Sequence, residues 1–258
     1  MDPNDLRPVL RNWPYHPGQI NVRRIRGTDN RIKIQMRLDL GVLQMEPTGR
    51  PDGQKPHDHE SLLEYHRNRL DAHKRRNGTY LGFSLGSEEV RDLQEEAMQY
   101  YQRYLANFVL EEYDAVARDT QRNIEVLDFC LEYARDDEDR YALEPYRPYI
   151  IMMHTRSKAL GAMKKQSFPV ALMHVNQGLE RIREFFRDYG DRKAYRYSAE
   201  VDILKALRRE IRRNLPPDPV RRTKRRLARA LDEERYEDAA RLRDELQHLL
   251  DRKNESKA

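Results

Sequence analysis

Hydrophobic and polar positions along the chain change period twice, and each change marks a structural unit. Residues 1 to 18 are rich in proline and turn formers, with Trp13 and Tyr15 as the large apolar anchors, and are expected to lie as an irregular arm across the body. A period of two follows. Ile32, Ile34, Met36, Leu38, Leu40 and Val42 alternate with Arg31, Lys33, Gln35, Arg37, Asp39 and Gly41, the signature of a strand with one apolar face. Ile20 and Val22 open a partner strand, and Gly27-Thr28-Asp29-Asn30 supplies the chemistry of a hairpin turn. At Gly41 the phase slips, because Leu43 and Met45 fall on odd positions, which predicts a bulge or a corner into a third strand. Gly49 to Gly53 closes the unit. A sheet this small, apolar on one face, must rest on helices.

From His59 onward the period becomes helical. Ser61 is placed to cap a helix through Leu63, His66 and Leu70 that ends near Asn77-Gly78. Ser87 with Glu88-Glu89 starts another, carrying Val90, Leu93, Ala97, Tyr100, Tyr101, Tyr104, Leu105 and Phe108. Arg135 to Arg140 reads as a charged loop, and Pro145 and Pro148 start a helix through Ile150, Met153 and Leu160. A helix from about Ser198 to Asn214 turns Val201, Leu204, Leu207 and Ile211 inward. Two helix pairs share one grammar about fifty-five residues apart: Tyr113 with Ala115, Ile124 and Leu127 corresponds to Phe168 with Val170, Leu179 and Ile182. An aromatic after a short polar turn opens each second helix, which resembles tetratricopeptide-type repeats, whose usual period is roughly thirty-four residues. These patterns predict a mainly α protein with a small N-terminal antiparallel β unit (α+β), stacked antiparallel helix pairs and a C-terminal helical hairpin. The expected boundaries are 1–56 for the arm and β unit, 57–215 for the helical body, 216–219 for a proline linker, 220–252 for the hairpin and 253–258 for a disordered tail.

The C-terminal hairpin rests on Leu227, Ala230 and Leu231 in a first helix and on Tyr236, Ala239, Ala240, Leu242, Leu246, Leu249 and Leu250 in a second. Adjacent alanines let two helix axes approach closely, and Tyr236 is expected to plug the open end near the turn. The run Tyr236, Glu237, Ala239, Ala240, Leu242, Arg243, Asp244, Leu246 resembles the UVR motif: aromatic-Glu-x-Ala-Ala-x-Leu-Arg-Asp-x-hydrophobic. That motif is shared by the B and C subunits of bacterial nucleotide-excision repair, some Clp-type ATPases and activators of protein arginine kinases. Thr223 stands where the apolar stripe of the first helix usually opens, and Tyr236 where Phe is commoner. The longer pattern, from the alternating strand through the helices to the motif, resembles a group of bacterial UVR-containing proteins. The resemblance implies a helical hairpin that pairs with a second such hairpin or a related helical surface on a partner protein. The residues it puts forward for that docking are Leu227, Leu231, Tyr236, Ala240, Leu242 and Leu246, with Arg243 and Asp244 orienting the pair.

Composition narrows the picture. Only 38% of residues are apolar against 36% charged, so each helix is expected to bury a narrow stripe and expose a broad solvated face. The net charge of +5 is unevenly spread. Lys205 to Arg229 holds eleven basic residues against Glu210 and Asp218, leaving the rest of the chain at −4. Such segregation suits phosphate binding, with Arg208, Arg212, Arg221, Arg222, Arg225 and Arg226 as the candidate contacts, although no aromatics interleave the run for base stacking. A solvated helix face, partly neutralised by Asp232 to Glu234, gives the same pattern. One cysteine, Cys130, excludes an intramolecular disulfide and fits a reducing compartment. No run of ~18 apolar residues occurs, so the expectation is a cytoplasmic protein without a membrane span.

Candidate chemistry is sparse. His59, His66 and His73 are spaced by seven, which puts neighbours ~10 Å apart on a helix, too far to share one ion, so these histidines and His57 are expected to be solvent-exposed or capping and no metal is expected. Cys130 lies in an apolar stretch and is expected in the core. No phosphate loop, nucleophile elbow or paired-carboxylate signature stands out, and no cofactor is implied. A site between the β unit and the helices would use Arg31, Lys33, Arg37 and Asp39, which otherwise form the wet face of an alternating strand. The reading is a non-catalytic adaptor that docks on a partner protein through its hairpin. A DNA- or RNA-associated module using the basic run is the alternative.

Overall fold

The computed structural model describes residues 5–189, 193–215 and 219–255, and the chain divides into two compact units, Met1–Arg212 and Arg213–Ala258. In the first unit the arm holds a short helix, α1 (Arg7–Leu10), where an irregular segment was expected. Its Trp13 ring lies 4.0 Å from the Arg23 guanidinium, and the Trp13 carbonyl accepts from Arg37 Nε at 2.8 Å. Three antiparallel strands follow in the order β1 (Val22–Arg26), β2 (Ile32–Arg37), β3 (Val42–Met45). Gly27 N–H donates to Arg31 O at 2.8 Å in the first turn, as the Gly-Thr-Asp-Asn sequence predicts. The alternation from Ile32 to Val42 is not one strand. Leu38 N–H closes onto Gly41 O at 2.9 Å, so Gly41 is a corner, and Leu40 sits at its tip, 89% exposed. Lys33 and Gln35, expected to face water, are buried. The middle strand is covered on that side by its neighbours: Lys33 Nζ pairs with Asp29 at 2.8 Å and with Glu46, and Gln35 bridges Arg23 and Gln44.

The apolar face of the sheet, Ile34, Met36 and Met45, rests on Ala106 of α3 (Ser87–Val109). Before it, α2 (Leu62–Asn77) starts where Ser61 Oγ accepts from Glu64 N–H at 3.2 Å and ends at Gly78, φ +74°. Gly86 N–H donates to Glu89 Oε2 at 2.9 Å at the start of α3, the carboxylate half of a capping box, since glycine has no side chain to supply the other half. Then come α4 (Tyr113–Tyr133), α5 (Asp137–Tyr141), α6 (Arg147–Lys164), α7 (Phe168–Asp188), α8 (Ala194–Tyr197) and α9 (Ala199–Asn214). The short α5 replaces part of the expected charged loop: Asp137, Glu138 and Asp139 all lie in its first turn, where carboxylates favour a helix. Helix α7 closes where Tyr189 N–H donates to Phe185 O at 3.0 Å.

One core joins α3, α4, α6, α7 and α9 through Tyr104, Ile124, Leu127, Ile151, Leu179, Ile182, Leu204 and Ile211. A second joins α2, α3 and α4 through Leu63, Leu85, Leu93, Val126 and Cys130. Cys130 is fully buried and burial pushes its thiol up to about 12. His66 is also buried rather than exposed, because it shares the inward face of α2 with Leu63 and Leu70. Its Nδ1 lies 2.9 Å from Arg69 Nη1. A polar layer separates α4 from α6, where Thr120 Oγ1 approaches His154 Nδ1 at 3.0 Å.

The helix pairs share one turn. Between α3 and α4, Glu111 sits at φ +55°, its N–H donates to Phe108 O at 3.1 Å, and the next N–H, of Glu112, reaches back to Asn107 O at 2.9 Å. Between α6 and α7, Gln166 at φ +56° donates to Met163 O, and Ser167 to Ala162 O, both at 2.8 Å. This left-handed link satisfies carbonyls that a helix end would otherwise leave bare. Two residues after it an aromatic, Tyr113 or Phe168, opens the returning helix, as the shared grammar predicts.

Candidate docking surface

The second unit consists of α10 (Pro219–Asp232) and α11 (Tyr236–Glu255), packed together. Of the expected proline linker, residues 216–218 lie outside the described residues, as do 256–258 of the expected tail. Its core is small: Ala230, Ala239 and Leu242 are buried, with Leu227 against them. Ala230 and Ala239 face each other across the pair because side chains of this size let two backbones come close. Thr223, the polar residue in the apolar stripe of the first helix, is 2% exposed and donates from Oγ1 to Glu245 Oε1 at 3.1 Å, so a hydrogen bond between the helices takes the place of an apolar contact.

The turn of this unit repeats the two in the body. Glu234 has φ +57°, donates to Leu231 O at 3.1 Å, and Arg235 N–H reaches Ala230 O at 2.8 Å. Tyr236 then opens α11 as Tyr113 opens α4. It does not plug the turn. Its ring is 68% exposed and Leu231 is 50% exposed, so the two largest apolar side chains beside the turn are bare. The reason is its place: the inward stripe of α11 runs through Ala239, Leu242 and Leu246, and Tyr236, the first residue of the helix, lies at the edge of that stripe beside the turn.

Of the residues put forward for docking, Leu231, Tyr236 and Ala240 are exposed, Leu246 is half-buried, and Leu227 and Leu242 face into the hairpin. Arg243 and Asp244 pair with one another at 3.5 Å in the open. Of the candidate phosphate contacts, Arg222, Arg225 and Arg226 are exposed on α10, with Arg226 3.8 Å from Glu245. The Arg221 side chain lies outside the described residues. Arg208 and Arg212 belong to the first unit. A cavity of about 470 Å³ on the hairpin is lined by Arg226, Arg229, Arg235 and Arg241 together with Asp238 and Glu245. Its charges are largely matched internally, since Arg235 holds Glu233 and Asp238 at 2.7 and 2.8 Å, and Arg229 holds Glu233 at 2.8 Å.

Residues 218–251 match the UVR (UvrB/uvrC) motif. The match covers the helix pair and its turn, so the arrangement just described is the geometry of a UVR hairpin in this chain. Comparison of the chain with curated proteins and with solved structures gave no significant match.

Sequence reasoning missed the buried ions of the first unit. Arg103 and Glu96 of α3, and Asp119 of α4, are each 1% exposed. Glu96 Oε1 accepts from Leu62 N–H at 2.8 Å and its other oxygen holds Arg122. The signal is visible once sought: Glu96, Arg103 and Ala106 fall within the same inward stripe as Leu93, Ala97, Tyr100 and Tyr104, so charge interrupts an apolar period. Among the described residues no group of three or more His, Cys, Asp or Glu side chains is placed to hold a metal, and no helix is long and apolar enough to cross a membrane.

Proposed function

We propose that the protein is a non-catalytic interaction adaptor, whose UVR hairpin docks on a partner protein by helix packing while the helical body and β unit carry the rest of its contacts. The motif is known for protein–protein and DNA-related interactions in UvrB and UvrC. The observation that carries the protein-docking reading is the exposure of both Leu231 and Tyr236, one on each side of the hairpin turn. Large apolar side chains that a fold leaves exposed are the ordinary anchors of an interface. The partner is expected to present a UVR-like or other helical surface. Affinity capture from the native host with the full chain and with residues 219–258 deleted tests it: the partner is lost with the hairpin, and a partner retained by the deleted chain overturns the reading.

A DNA- or RNA-associated module is the second reading, and the exposed Arg222, Arg225 and Arg226 on α10 favour it. Phosphate contacts release counterions, so nucleic-acid binding falls steeply between low and moderate salt, whereas apolar docking barely changes.

A further inference from the structure

The turn between α3 and α4 shows what a turn of this type does when it is occupied. The end of α6 lies on it. A Cβ built at Gly161 meets Tyr113 Cβ at 3.5 Å, so the backbone of α6 lies against the base of the aromatic side chain. Lys164 Nζ lies 3.4 Å from Glu111 Oε2 and 5.9 Å from the centre of the Tyr113 ring, and Lys165 Nζ lies 4.0 Å from Asp114 Oδ2. The docked helix thus offers a small residue to the aromatic, and basic residues three and four positions later to the two carboxylates that flank it. Those three positions share one helix face.

The UVR hairpin carries the same receiving set in the same order. Leu231 stands at the place of Phe108, Glu234 at that of Glu111, Tyr236 at that of Tyr113 and Glu237 at that of Asp114, fixed by the identical backbone hydrogen bonds of the two turns. Among the described residues Glu234 and Glu237 have no ion-pair partner, while Glu233, Asp238 and Glu245 around them do. The third turn of this type, between α6 and α7, is not equipped in this way. Gln166 and Pro169 stand at its two acidic positions, and Phe168 packs against the core. Acid, aromatic and acid thus accompany the helix end received at the α3–α4 turn and recur at the hairpin turn.

From this internal template we infer that the hairpin's partner is an α-helix bearing a Gly or Ala followed by Lys or Arg three and four residues later, which crosses Tyr236 and places its two cations on Glu234 and Glu237. The inference rests on the docking reading above and names the chemistry of what docks. Charge complementarity selects the partner, and the exposed Leu231 and Tyr236 supply the apolar area.

The test uses the 15N-labelled full chain and a soluble alanine-based helical peptide of about 20 residues carrying Ala, Lys and Lys at i, i+3 and i+4. Saturable shifts are expected at the amides of residues 230–240. The double variant E234K/E237K is expected to bind about tenfold more weakly, the scale of two exposed ion pairs turned repulsive. A peptide with both lysines replaced by glutamate is expected to bind that variant and not the parent. Circular dichroism checks that the variant keeps its helices, and Tyr236→Ala, an exposed position, serves as a second probe that leaves the charges in place. Absence of saturable binding to the parent, shifts confined to other residues, or an affinity indifferent to both charge reversals overturns the inference. None of those results touches the adaptor reading, which stands or falls on the deletion of residues 219–258.

Discussion

Arg103 and Asp119 meet in full burial between α3 and α4, Nε to Oδ2 at 2.7 Å and Nη2 to Oδ1 at 2.9 Å, and the same guanidinium donates from Nη1 to the carbonyls of Glu46 and Gly49 at 3.0 and 2.8 Å. Two donors grip the carboxylate on α4 and the third reaches two carbonyls of the loop after β3, so one side chain on α3 ties that loop to a second helix. Removing one partner strands the other charge in the interior. Asp119→Ala is expected to destabilise the first unit by roughly 3–5 kcal/mol, read as a lower midpoint of its urea transition. Replacing both residues by apolar ones of similar size is expected to cost less than the single change.

His66 and His154 are both held well below the ordinary histidine range, to about 4, first by burial and then by neighbouring cations, Arg69 for the one and Lys158 and Arg181 for the other. Each is neutral in the folded chain and takes up a proton on unfolding below pH 6.5. Their contribution is therefore complete above pH 6.5 and is lost progressively as pH falls toward 4. At pH 5 the loss is about 2 kcal/mol per histidine. Urea midpoints at pH 7 and pH 5 check this, and a stability that rises on acidification contradicts it.

In α7, Gly178 faces Thr155 of α6 so closely that a Cβ there would meet Thr155 Cβ at 2.7 Å. Alanine is favoured over glycine inside a helix by about 1 kcal/mol, but Thr155 is 4% exposed and has little room to give. Overpacking wins, and Gly178→Ala is expected to destabilise by about 1–3 kcal/mol in thermal or urea denaturation.

In the hairpin, Ala230 and Ala239 set the separation of α10 and α11. Ala239→Leu is expected to force them apart, costing about 1–3 kcal/mol from a unit whose apolar core, among the described residues, is Leu227, Ala230, Ala239 and Leu242. Helical circular dichroism of the full chain is expected to lose the hairpin's share on mild heating. Tyr236→Ala is expected to leave that signal unchanged, because the ring is exposed.

Amide hydrogen exchange follows from the same comparison. With so few buried side chains, the amides of α10 and α11 are expected to exchange faster than those of α4 and α6, whose inward faces are fully covered. Equal protection in the two regions sinks this expectation.

Much of this was legible because local rules operated alone. Ser61 and Gly78 bound α2 as a capping serine and a left-handed glycine must, and the aromatics Tyr113, Phe168 and Tyr236 mark where helices begin. The failures share one cause, the side of an element that its neighbours cover. Lys33 and Gln35 occupy polar positions of an alternating strand, and only the flanking strands bury them. Leu38 and Leu40 keep the apolar phase of β2 past its end, and a backbone bond to Gly41 overrides it. Tyr236 is large enough to plug the open end of the hairpin, yet the buried stripe of α11 starts only at Ala239. The acidic pair at Glu234 and Glu237 could not be singled out before the turn at Glu111 showed such a pair engaged.

The Arg103 clamp also bears on the order in which the chain is made. The carbonyls of Glu46 and Gly49 emerge from the ribosome long before the guanidinium that binds them, which lies 54 residues after Gly49, and the neutralising carboxylate follows 16 residues later still. Until Asp119 is synthesised, Arg103 has no counter-charge with which to enter the interior. The three strands leave the tunnel well before α4, but the clamp that fastens them closes only once Asp119 has been made. A nascent chain arrested before Asp119 should carry an undocked sheet, with Ile34, Met36 and Met45 open to chaperones.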